Sequence, residues 1–196
     1  MPSNRKPASS PVETEAKIRV SSFTAIRRRI SSSGGCLLSP RALEANTLFD
    51  SPERSLTAQG RSFRVRRYGT QGLLTLKGAA RVSGGIKSRV ELETQVTSPE
   101  IVVDILISLG FLPQFRYEKF REVWGLRGTS ICLDETPLGR FVEIEGPVAA
   151  IHRVASLIEV SPEDFLTASY PALWFAAGRT DDMAFASRAR SRKTRA

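Results

Sequence analysis

Charged residues recur at every second position of the strand-like runs in this chain. Glu13, Glu15, Lys17 and Arg19 alternate with Thr14, Ala16 and Ile18. Arg64 and Arg66 flank Val65, and Arg89, Glu91 and Glu93 alternate with Val90 and Leu92. Lys119 and Arg121 flank Phe120, and Glu143 and Glu145 flank Ile144. In an extended strand, period two puts the charges on one face and the apolar residues on the other. The ordinary outcome is polar outside and apolar inside. Here acids and bases from distant segments share the polar face. They can also converge inward, around a highly charged ligand and its cation.

The net charge of +9 over 196 residues invites a nucleic-acid reading, but its distribution argues against one. The first ten residues contribute +2 and residues 179–196 contribute +4, which leaves +3 for everything between. The body is nearly balanced, so nucleic-acid contact is expected at most from the basic tail. Cys36 and Cys132 are far apart in sequence and form no ligand or redox motif, which fits a reducing compartment. No apolar run is long enough to span a bilayer, and the first thirty residues lack a signal-peptide core. The expectation is a cytoplasmic protein, monomeric or homodimeric, without membrane contact.

Residues 1–11 are polar and hold three prolines, so a disordered segment is expected there. Residues 12–175 read as one domain and 176–196 as a solvated basic tail. Strands are expected at 12–20, 41–50, 62–68, 72–78, 87–96, 115–126, 129–134 and 141–145, with a brief extended piece at 36–38. Residues 79–86 read as a mobile loop. One helix should follow a cap at Ser21 or Ser22 and end at Gly34-Gly35. Another should start at Ser98-Pro99, and two more should cover 148–159 and 162–169. Strands outnumber helices and adjoin as hairpins. The fold class is therefore α+β: a mostly antiparallel, eight-stranded barrel or tunnel with a charged lumen and helices outside.

Three constellations carry chemistry. In ETEAK (13–17), Glu13 and Glu15 point the same way and repel unless a cation lies near. A solvated face with Lys17 screening the acids fits the same five residues. Glu143 and Glu145 repeat the spacing in FVEIEG, just after Asp134. Arg64, Arg66, Lys77, Lys119 and Arg121 form a basic set. Arginine forks match phosphate oxygens and lysine adds point charge. A polyphosphate carrying a divalent metal would satisfy both sets at once. His152 reads as a packing or surface residue, and the cysteines lack a neighbouring base.

ETEAK resembles the ExExK motif of the CYTH superfamily, the triphosphate tunnel metalloenzymes. RALEANTLFD, FRVR, LLTLKG, KSRVELETQV, GFLPQFRYEKFREVW and CLDETPLGRFVEIEGP follow in that family's order. Together they cover roughly residues 12–173. The resemblance implies that Glu13, Glu15, Asp134, Glu143 and Glu145 hold Mg²⁺ or Mn²⁺. Arg64, Arg66, Lys77 and Arg121 would grip the phosphate chain, with Lys17 and Lys119 as the catalytic lysines of the lumen, Lys17 touching phosphate or orienting the attacking group. Glu91 and Glu93 would face the non-phosphate end of the substrate. The activity it implies is hydrolysis of an inorganic, thiamine or nucleoside triphosphate, or formation of cAMP and pyrophosphate from ATP. Water is always present, whereas cyclisation needs a pinned ribose, and no adenine-reading motif stands out; this favours hydrolysis. A non-catalytic polyphosphate or RNA binder is the alternative from another class.

Overall fold

The computed structural model describes residues 12–69 and 71–186. The N-terminal segment and the last ten residues lie outside them.

Eight antiparallel strands close a ring. They are β1 (Val12–Val20), β2 (Cys36–Asp50), β3 (Ser62–Tyr68), β4 (Gln71–Lys77), β6 (Ile86–Val96), β7 (Leu112–Leu126), β8 (Thr129–Thr136) and β9 (Gly139–Glu145). The ring runs β1-β9-β8-β7-β2-β3-β4-β6 and returns to β1, where Val12–Glu15 pair with Val90–Lys87. Two short strands, β5 (Arg81–Ser83) and β10 (Phe165–Leu166), attach to β6 and β1. The helices are α1 (Thr24–Ser32), α2 (Ser55–Ala58), α3 (Pro99–Ser108), α4 (Val148–Leu157) and α5 (Tyr170–Ala176). None is long and apolar enough to cross a membrane.

The period-two pattern builds two environments from the same strands. Ile131, Leu133, Val142 and Ile144 face outward from β8 and β9 and pack with Ile151, Val154 and Ile158 of the α4 region. The intervening Asp134 and Glu143 face the lumen, and both are buried. Aliphatic burial at about 25 cal/mol per Å² glues α4 to the barrel wall, so the helix holds the charged strands from behind. A second cluster of Phe115, Tyr117, Phe141, Tyr170, Trp174 and Met183 ties α5 and the segment after it to β7. The β7–β8 hairpin turns at Arg127-Gly128, with φ of 48° and 78°. Both residues lie in the left-handed region that a two-residue hairpin of this hand requires.

Several sequence expectations need correction. Residues 79–86 are not simply a loop, because Arg81–Ser83 pair with β6. The second strand starts at Cys36, with register shifts at Leu37/Ser39 and Ser39/Ala42 that absorb its polar, proline-containing start. The expected helix at 162–169 is instead a 3-10 turn, Pro162–Asp164, followed by β10. Phe165 is drawn into the core beside Ile18, which overrides the helical start signal. The helix begins only at Tyr170, where the Ser169 hydroxyl accepts from the Ala172 N–H. The N-cap position of α1 is Phe23 and not Ser21 or Ser22, although the Ser22 hydroxyl accepts from the first helical N–H, that of Thr24, at 3.2 Å, and Ser98 makes no side-chain capping bond. The solvated tail does not begin at 176. Met183 is fully buried, and its backbone exchanges hydrogen bonds with Arg116 and Glu118.

Candidate active site

The barrel encloses a cavity of about 370 Å³. Of the thirteen residues expected at the site, twelve line it, all but Asp134. Its wall carries nine bases and six acids, so it favours an anionic guest.

The acids divide into two groups. One carboxylate oxygen from each of Glu13, Glu15 and Glu145 lies within 4.8 Å of the others. The strand register explains this: Glu15 is the direct partner of Glu145, and Glu13 stands two residues away on the same face. Both Glu13 oxygens accept from Lys77 Nζ at 2.9 Å, and Arg89 Nε donates to one of them at 3.0 Å. Glu15 pairs with Lys87 at 2.7 Å. Glu145 has no cationic partner within salt-bridge distance among the described residues. Burial, then the charges of Glu143, Glu13 and Glu15, push its pKa up to about 7 against the pull of Arg121. Three hard oxygen donors with an unsatisfied negative member suit Mg²⁺ or Mn²⁺.

The second group is saturated. Asp134 Oδ1 accepts from Arg121 Nε at 2.7 Å. Its Oδ2 accepts from Arg121 Nη2 at 2.7 Å, Lys119 Nζ at 2.9 Å and the Tyr170 hydroxyl at 2.7 Å. Asp134 therefore orients the bases and is not part of the acid trio. Glu143 likewise sits apart from that trio. It pairs with Lys17 at 3.1 Å and also contacts Lys119 and Arg121. Burial opposes its ionisation, but Lys17, Lys119 and Arg121 outweigh burial and hold its carboxyl well below the usual range. The expectation that all five acids form one metal set thus meets a structure that gathers three and commits two to bases.

Arg64 is the least satisfied base. It is buried, with 6% exposure, and donates from Nη1 to the Tyr117 hydroxyl at 2.9 Å. Its Nε and Nη2 have no hydrogen-bond partner among the described residues. Buried donors left without acceptors are costly, so this guanidinium is preset for an anion. Arg66 Nε is similarly unpartnered. Glu91 lies 2.7 Å from Lys77. Its pKa rises to about 7 through burial and its hydrogen bond with Glu13, against the opposing effect of Lys77. Glu93 accepts from Thr75 at 2.7 Å.

Sequence reasoning assigned no role to several site residues. Lys87 and Arg89 continue the register of Glu91 and Glu93, so the alternation already contained them. Glu44 and Asn46 follow the same period on β2. Tyr117 shares the register of Lys119 and Arg121 on β7, whereas Tyr170 left no such signal. Tyr170 reaches the lumen from a helix, its ring 4.0 Å from Lys17 Nζ.

The profile of the CYTH domain family matches residues 12–170. No curated protein matches the chain in sequence. Among solved structures, a candidate adenylate cyclase from Vibrio parahaemolyticus is 21% identical, with a TM-score of 0.73, covering 83% of this chain and 97% of its own. A protein from Pyrococcus horikoshii is 23% identical, with a TM-score of 0.70, covering 84% and 99%. A Hippeastrum protein, described as an adenylyl cyclase candidate with a dominant triphosphatase activity, is 19% identical. Its TM-score is 0.62, with coverage of 86% and 97%. At these identities the likeness is one of fold.

Proposed function

The chain belongs to the CYTH domain family, and from that premise we propose that it is a divalent-metal-dependent hydrolase of triphosphate-bearing small molecules. The observation that carries this reading is Arg64: a buried guanidinium with two unpartnered donors, in a cavity that also holds the acid trio. A plain anion binder gains nothing from three converging carboxylates. A plain cation site gains nothing from nine bases.

Glu13, Glu15 and Glu145 would hold the metal ion, which neutralises phosphate charge and helps orient the attacking water. Arg64, Arg66 and Lys77 grip the phosphate chain, and Lys17 and Lys119 add positive charge where charge builds up on the oxygens. Water attacks the terminal phosphorus in line. The bond from that phosphorus to the bridging oxygen breaks, and its electron pair stays with the departing diphosphate. The water proton passes to the released orthophosphate. Phosphoryl transfer proceeds through a loose transition state, so positioning and neutralisation account for most of the acceleration.

The test is a panel of inorganic tripolyphosphate, thiamine triphosphate and ATP with Mg²⁺ or Mn²⁺, products resolved by phosphorus NMR. Orthophosphate from at least one substrate supports the reading. Pyrophosphate plus cAMP from ATP would replace it with the cyclase reaction. Tight binding without turnover would make the protein a binder.

A further inference from the structure

Glu44 lies behind the cavity wall rather than on it, and its side chain is fully buried. It projects inward from β2, between β3 and β7, where its backbone partners are Tyr68 and Lys119. Three bases of the lumen surround the carboxylate: Lys119 at 3.4 Å, Arg66 at 3.7 Å and Arg121 at 3.8 Å. Among the described residues only Asn46 Nδ2, at 3.1 Å, donates a hydrogen bond to it. Its Oε2 has no hydrogen-bond partner among the described residues, and neither has Arg66 Nε.

Asp134 shows what a locked buried carboxylate looks like in the same barrel, with four short bonds from three partners. Glu44 holds Arg66 at ion-pair distance without the hydrogen bond that would fix it, whereas Lys119 and Arg121 are fixed by Asp134 and lend Glu44 only their charge. A charge-assisted hydrogen bond is roughly twice as strong as a neutral one, so Arg66, held this loosely, can turn toward a better acceptor. A buried carboxylate still needs positive charge around it, and Glu44 draws that charge from the groups a phosphate would use.

We propose, building on the triphosphate reading, that Glu44 is a built-in counter-anion. It competes with an incoming polyphosphate for Arg66 and offsets the positive charge of Lys119 and Arg121, and so weakens binding enough for product to leave. Glu44 is a positioning residue: it acts through the bases and touches no substrate.

The test is calorimetric titration of inorganic tripolyphosphate into the full chain in EDTA, for the parent, Glu44→Gln and Glu44→Asp. Glu44→Gln should tighten binding about tenfold, the scale of one unit charge removed at roughly 10 Å in a medium of effective dielectric about 20. Glu44→Asp keeps the charge and should stay close to the parent. A purely structural role predicts the opposite sign: weaker or unchanged binding in Glu44→Gln overturns the proposal. If Glu44→Gln is too unstable to titrate, thermal melts decide. Tripolyphosphate should then raise its Tm more than the parent's, and an equal or smaller rise overturns the proposal. A parent that binds no tripolyphosphate overturns the functional reading and this inference together, whereas failure at Glu44→Gln alone leaves the functional reading standing.

Discussion

Asp134 and Glu145 are both inward-facing carboxylates on neighbouring strands, one behind the cavity wall and one on it, and their surroundings are opposite. Asp134 accepts four hydrogen bonds from Arg121, Lys119 and Tyr170. Glu145 has two like-charged companions and no cationic partner among the described residues. Saturated buried charge holds a structure together and breaks it when one partner is removed. Unsaturated charge marks where an ion from solution completes the set. The same contrast separates Arg121, tied to Asp134, from Arg64, with two donors unpartnered.

The contrast can be broken from the saturated side first. Asp134→Ala should destabilise the fold by about 3–5 kcal/mol, the scale of stranding buried bases, as read by chemical denaturation. An unchanged midpoint would mean that water already compensates this cluster. On the unsaturated side, Glu145→Gln should cost no stability, and above about pH 7 the metal-free variant should be more stable than the parent. The substitution should lower metal-supported turnover about 10²- to 10³-fold, the scale of losing one preorganised charged group. Tripolyphosphate binding in EDTA should survive that change. Arg64→Ala should do the reverse: binding weakens by about 1.5–3 kcal/mol, the scale of a hydrogen bond to a charged group, measured by calorimetry.

Acidity sharpens the same comparison. The Glu145 carboxyl sits at about 7 against an ordinary value of 4.5. Its folded form therefore binds the extra proton, and the metal-free protein loses stability as pH rises from about 4.5 to 7. Divalent cation displaces that proton, so Mg²⁺ affinity should climb as pH rises through about 7, at most tenfold per pH unit for one proton released. Melts and Mg²⁺ titrations from about pH 5 to about pH 8, the range over which this group changes charge, would show it. A flat profile would remove Glu145 from the metal set. The smallest effect is expected outside the lumen. Asp50 accepts from the backbone N–H groups of Ser51, Leu56 and Thr57 and from the Thr57 hydroxyl, ordering the loop whose Thr57 and Arg61 reach the cavity mouth. Asp50→Ala should cost about 1–2 kcal/mol, as capping losses do.

Much of the barrel was legible because one rule served twice. Alternation told strands from helices, and it also placed Glu13, Glu15, Arg64, Arg66 and Glu143 on a common side. Alternation alone cannot say which side faces inward. That depended on Ile131, Leu133, Val142 and Ile144 finding α4 to cover them, a tertiary event. It also could not divide the acids. Asp134 and Glu145 look alike in sequence, and only the cross-strand register puts Arg121 opposite one and Glu15 opposite the other. The C-terminal errors have a similar origin. Phe165 and Met183 follow distant packing partners rather than local signals, so a helix was expected where β10 forms and a solvated tail where Met183 is buried.

The most direct measurement is a crystal structure grown with Mn²⁺ and a slowly hydrolysed tripolyphosphate analogue, with data collected at the manganese edge. An anomalous peak among Glu13, Glu15 and Glu145, with phosphate oxygens on Arg64 Nε and Nη2, is the predicted result. Manganese bound elsewhere, or an analogue lying outside the barrel while Arg64 stays unpartnered, would contradict it.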